Sequence, residues 1–102
     1  MPEFVRAAAL KDIPQGRGKL LQIRGRAIAL FNVGGNVYAV KDSCPHRGFS
    51  LHRGKLEDGV VTCPGHSWQF DLRTGASVNQ PEVGIRCYRV EIRGDSVWVE
   101  VP

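Results

Sequence analysis

Cys44-Pro45-His46-Arg47-Gly48, within KDSCPHRGFSL, and Cys63-Pro64-Gly65-His66, within VVTCPGHSWQFD, are the stretches on which the reading of this chain turns. Each offers one thiol and one imidazole, and sixteen residues separate His46 from Cys63. Pro45 and Pro64 fix φ and lack an N–H, which stiffens the segments that carry the donors. Four donors from two stiff loops can enclose a metal centre. Two thiolates and two imidazoles suit tetrahedral zinc. They suit equally a [2Fe–2S] centre in which two His replace two Cys on one iron. Residue types alone leave both open.

Working outward, turn signals divide the chain into short segments; it holds twelve Gly and six Pro. Ala27 to Val33 and Val37 to Val40, around Gly34-Gly35-Asn36, read as a hairpin. Cys87 to Arg93 alternates polar and apolar, Gly94-Asp95 turns the chain, and Ser96 to Val101 returns as a second hairpin. Leu20 to Ile23, Val60 to Thr62 and Trp68 to Asp71 are further strand candidates. Ala76 to Arg86, with Pro81 and Gly84, reads as loop. No window of helical periodicity exceeds a turn or two, and no repeat of 20–50 residues is present. The expected fold is all-β, a small sandwich or barrel, with both Cys/His pairs on loops.

Length and charge bound the rest. A chain of 102 residues is enough for one domain, 1–102, in which a metal centre would matter to folding as well as function. Three cysteines without a secretion signal argue against a disulfide framework. MPEFVRAAAL is broken by Glu3 and Arg6 and lacks the apolar stretch of a signal peptide. With no long apolar run there is no membrane span, and a cytoplasmic monomer is expected. Fourteen basic and ten acidic residues give a net charge of +4. The basic residues are scattered and lack an aromatic platform, so nucleic acid is not an expected partner. An acidic protein partner is better matched.

The ligand pattern resembles that of the Rieske family, with Cys-x-His in one loop, Cys-x-x-His in a second, and a gap of similar length between. CPHRG, Leu51, Gly54-Lys55-Leu56, Asp58-Gly59 and CPGHSWQFDLRTG stand where that family places comparable residues. The similarity covers nearly the whole chain. It implies an antiparallel β-sandwich with a small two-loop cluster-binding subdomain at about 42–70. It implies one [2Fe–2S] cluster, with Cys44 and Cys63 on one iron and His46 and His66 on the other. Neutral imidazoles leave the outer iron less electron-rich, so its potential rises relative to four-Cys clusters. Asn79-Gln80-Pro81 is implied as a third loop over the cluster, and Gly48 and Gly65 as places where amides approach its sulfurs. Trp68 and Phe70 are expected to shield the cluster and fill core. His52 reads as a surface residue and Cys87 as a partly exposed structural thiol.

Two departures from the respiratory members of the family are informative. Those proteins resemble this pattern but carry an extra Cys in each loop, joined as a disulfide; the positions here are Phe49 and Gly65. They also carry a Ser two residues and a Tyr four residues after the second ligand His, both donating to the cluster; here these are Trp68 and Phe70. Ser67 lies one residue out of register. The potential is therefore expected near about −150 mV rather than about +300 mV. Rieske oxygenases add a catalytic iron held by two His and a carboxylate. With His46 and His66 assigned, only His52 remains, so the chain is expected to be no enzyme by itself. The resemblance implies an electron carrier between a flavin reductase and a terminal ring-hydroxylating oxygenase. The alternatives are the small subunit of an NADH-dependent nitrite reductase beside its large subunit, and a zinc-stabilised interaction module.

Overall fold

The computed structural model describes residues 3–44, 48–65, 68–78 and 83–101. Within these, the chain order is β1 (Glu3–Ala9), β2 (Gly18–Ile23), β3 (Arg26–Val33), β4 (Asn36–Lys41), β5 (Lys55–Glu57), β6 (Val60–Thr62), β7 (Gln69–Asp71), β8 (Cys87–Tyr88), β9 (Val90–Arg93) and β10 (Ser96–Val101). The strands form three sheets, ordered β1-β10-β9, β2-β3-β4-β8 and β5-β6-β7. Every strand pairing is antiparallel. The helical segments among the described residues are single 3-10 turns at Leu10–Asp12 and Leu51–Arg53. The protein is thus all-β, as its turn density predicts.

Tight turns set the register. Val33 pairs with Asn36 across Gly34-Gly35, and both glycines have positive φ, 59° and 94°. That is the backbone a two-residue hairpin requires, and it matches the right-handed twist of the strands. Glu57 pairs with Val60 in the same way across Asp58-Gly59.

The four-stranded sheet is the middle layer. Along β3, Ile28 and Leu30 face one way and pack with Val97, Val99 and Val101 of β10. Ala29 and Phe31 face the other way and pack with Leu51, Val61, Phe70, Cys44 and Cys63. A strand buried on both faces must be apolar throughout, which is why 27–31 reads AIALF rather than alternating. The second cluster is the wall on which the candidate site is built.

One expectation is corrected and two are extended. Cys87 to Arg93 is not one strand: Cys87 and Tyr88 pair with Val40 and Ala39 of β4, whereas Val90 to Arg93 pair with β10. The chain changes sheets at Arg89 while its in-and-out alternation continues, so periodicity does not register the change of partner. The N-terminal segment, read only as an unsuitable signal peptide, forms β1 against the full length of β10. Among its described residues, Ala76 to Arg86 is irregular as expected, with single bridges joining Ser77 to Phe70 and Gly84 to Ala76, which anchor it beside the site.

Candidate metal centre

Two loops of similar closure carry the cysteines. Cys44 lies three residues beyond β4, and its N–H donates to the carbonyl of Phe49 at 2.8 Å. Cys63 follows β6 directly, and its N–H donates to the carbonyl of Trp68 at 2.8 Å. In both loops the bond spans five residues, so each Cys begins a turn that folds back over its own sulfur-bearing residue. Gly48 tightens the first loop further: its N–H donates to the Cys44 carbonyl at 2.7 Å, and its φ of 71° is left-handed. The amide of Gly48 thus helps to close the loop on itself.

Both cysteines belong to one buried cluster with Ala29, Phe31, Val40, Leu51, Val61, Phe70 and Leu72. Cys44 and Cys63 are 1% and 2% exposed. Phe70 is fully buried and Trp68 packs partly buried against the same apolar cluster, as their assignment to the core requires. His46, His66 and Asn79-Gln80-Pro81 lie outside the described residues. What frames the last of these is described: Ser77 N–H donates to Val83 O at 3.0 Å, closing that segment at its base.

One pair was missed by the sequence reading. Asp42, at the end of β4, has a carboxylate side chain only 2% exposed. One oxygen accepts from the His52 backbone N–H at 2.6 Å and the other bonds the His52 ring Nδ1 at 2.8 Å. His52 is therefore not a surface residue; 18% of its side chain is exposed. The pair clamps the base of the first loop, joining the strand that enters it to the 3-10 turn that leaves it. A motif search finds neither residue, since Asp and His ten positions apart obey no ligand spacing.

Cys87 stands apart. The residue is exposed overall, but its Sγ is partly buried, 3.9 Å from the Leu72 carbonyl. Burial pushes its thiol above the ordinary value of 9.0, and the Asp71 carboxylate adds to the effect. A thiol held protonated is a poor nucleophile, in keeping with a structural role.

The donor set fits a cluster. Two thiolates within an apolar pocket are costly unless a cation compensates them, and ferric iron does so. Their placement on two similarly closed loops brings both into one buried cluster.

The sequence and fold place these features among known proteins. The Rieske [2Fe-2S] domain family matches residues 3–89. The chain is 36% identical over 98 residues to the 3-phenylpropionate/cinnamic acid dioxygenase ferredoxin subunit of Shigella boydii serotype 4, covering 94% of this chain and 92% of that one. It superposes with a TM-score of 0.87 and 30% identity on the ferredoxin of carbazole 1,9a-dioxygenase from Nocardioides aromaticivorans IC177, covering 94% and 95% of the two chains. A carbazole 1,9a-dioxygenase ferredoxin has also been solved in complex with its oxygenase. The fold is shared with a putative NADH-dependent nitrite reductase small subunit from Mycobacterium tuberculosis, TM-score 0.92 at 24% identity, covering 100% and 97%. The chain belongs to the Rieske [2Fe–2S] domain family, and its cofactor is a Rieske-type [2Fe–2S] cluster.

Proposed function

We propose that this protein is a single-electron carrier that accepts electrons from a flavin-dependent reductase and delivers them to a terminal ring-hydroxylating oxygenase. Cys44 and Cys63 hold one iron, and His46 and His66 the other, in a single domain spanning 1–102. The observation that carries the reading is the burial of Cys44 and Cys63 in one apolar wall, each opening a loop closed by its own amide. The similarity to dioxygenase ferredoxin subunits over nearly the whole chain supports the choice of partner class. When bound, the cluster supplies a one-electron couple. The chain's own residues supply the rest: Phe70, Leu51 and Val61 exclude water behind the sulfurs, and Asp42 with His52 fixes the first loop. The protein acts as a cytoplasmic monomer.

Potentiometric titration followed by low-temperature EPR tests this. The expected outcome is a signal of mixed Cys/His ligation on reduction, with a midpoint toward about −150 mV. Neither Trp68 nor the buried Phe70 offers a hydroxyl to the cluster. A midpoint well above zero would refute that account of positions 68 and 70 while keeping the ligands. Stoichiometric zinc without iron would replace electron transfer with a structural module. Co-purification in a fixed complex with a nitrite-reducing large subunit would replace the oxygenase as partner.

A further inference from the structure

Gly65 has no backbone reason to be glycine. Its φ is not among the left-handed values of this chain, so an L side chain could adopt its conformation. The reason is steric. A Cβ built on Gly65 would collide with the ring of Phe49, meeting Cδ2, Cε2 and Cζ at distances real Cβ atoms do not show. The ring of Phe49 therefore lies close against the α-carbon of Gly65, loop upon loop. Phe49 is 40% exposed and belongs to neither buried cluster. A large apolar side chain 40% exposed, outside both buried clusters, yet packed against the α-carbon of a facing loop, has a positioning role.

We infer that Phe49 and Gly65 form a noncovalent clasp that holds the two ligand loops together and so retains the cluster between them. The loops otherwise come from different sheets: the first leaves β4 of the middle layer, the second leaves β6 of the three-stranded sheet. Their hydrogen bonds at Cys44, Gly48 and Cys63 close each loop on itself. The Phe49 ring reaches across. Because it uses packing and no thiol chemistry, the clasp keeps its strength when the surroundings become reducing. Phe49 acts through the loops and does not ligate iron; it is a positioning residue. The inference rests on the ligand assignment above.

The test is a double-mutant cycle on the loaded protein with Phe49→Ala, Gly65→Ala and the pair. The readouts are the rate of iron release to a chelator, followed by loss of visible absorbance, and the EPR g-values of the reduced cluster. Phe49→Ala is expected to release iron about tenfold faster, the effect of about 1.4 kcal/mol of lost restraint, with broadened g-values. Gly65→Ala is expected to do the same in the Phe49 background, by displacing the ring, and to have little effect when residue 49 is Ala. Phe49→Leu, which keeps an apolar side chain, restores most of the retention and serves as the base of the cycle should Phe49→Ala assemble no cluster. Wild-type release from Phe49→Ala overturns the clasp. So does a Gly65→Ala effect that is equally large in both backgrounds. Thermal unfolding of the metal-free proteins separates the two readings: the coupling between positions 49 and 65 persists there even if the bound metal proves not to be iron.

Discussion

Asp42 and His52 show what single residues contribute beyond ligation. The Asp42 carboxylate is almost fully buried and has both oxygens engaged by one residue, through the backbone N–H and the ring of His52. A buried carboxylate is stabilised only while its donors are present, and charge-assisted bonds of this kind are the stronger ones. Asp42→Ala should lower stability by about 2–4 kcal/mol, because it strands two donors at once. His52→Ala removes the ring and leaves the backbone bond, so about 1–3 kcal/mol is expected. Urea unfolding of the loaded and metal-free proteins reads both, and changes under about 0.5 kcal/mol, the range of ordinary surface substitutions, would show that the clamp is incidental. At this scale the cysteines were legible, since two Cys/His pairs flanked by proline are a short-range pattern. Asp42 was not, because its partner is chosen by the 3-10 turn at Leu51–Arg53 and by no local spacing.

Among elements, the hairpins are where local chemistry and tertiary structure agree most closely. The Gly34-Gly35 turn needs positive φ at both positions, and the β3–β4 hairpin was read from those glycines. Space is not the constraint there: a Cβ at Gly35 would meet nothing within 4 Å. Gly35→Ala should therefore destabilise by about 1–2 kcal/mol through left-handed backbone strain alone. A melting temperature unchanged from wild type would mean that the turn relaxes to another type at no cost. The Asp58-Gly59 turn carried the same signal, and β6 was read at Val60 to Thr62, yet its three-residue partner β5 is too short for alternation to reveal. The β8–β9 pair failed differently. Tyr88 and Val90 pack on the same cluster, so the segment keeps one periodicity while its hydrogen bonds pass from β4 to β10.

For the whole molecule, charge placement matters more than charge count. Four exposed pairs, Arg24–Glu3, Lys55–Glu57, Arg73–Asp71 and Arg93–Glu91, lie on the described surface, and such pairs add little stability. Other cations gather in two grooves. Arg26, Lys41 and Arg86 line one together with Asp42; Lys11, Arg17, Lys19 and Arg53 line another together with Asp12 and His52. The Asp42–His52 bond thus lies between two basic surfaces at the base of the first ligand loop. A positive field of this kind steers an acidic partner, and salt screens it. If the proposed flavin-dependent reductase is the donor, its rate of reducing the protein should fall several-fold between low and high ionic strength. Lys41→Glu with Arg86→Glu should lower the low-salt rate about tenfold and flatten the salt dependence. Lys55→Glu, outside both grooves, is the control. Salt-independent rates would remove steering from the account.

What the sequence by itself determined were the features set by neighbours along the chain: the ligand residue types, their spacing, the prolines that stiffen them, the glycine turns, and an apolar run long enough for a strand buried on both faces. These depend on φ, ψ and side-chain period, which a few consecutive residues settle. Only the tertiary structure decided the contacts made through space. The placing of β8 and β9 in different sheets, the Asp42–His52 clamp and the seat of Phe49 on Gly65 join residues whose separation obeys no period. Gly65 illustrates the division. Its sequence context suggests a backbone role, and the structure assigns it a steric one, because the ring that excludes every Cβ there arrives from the other loop.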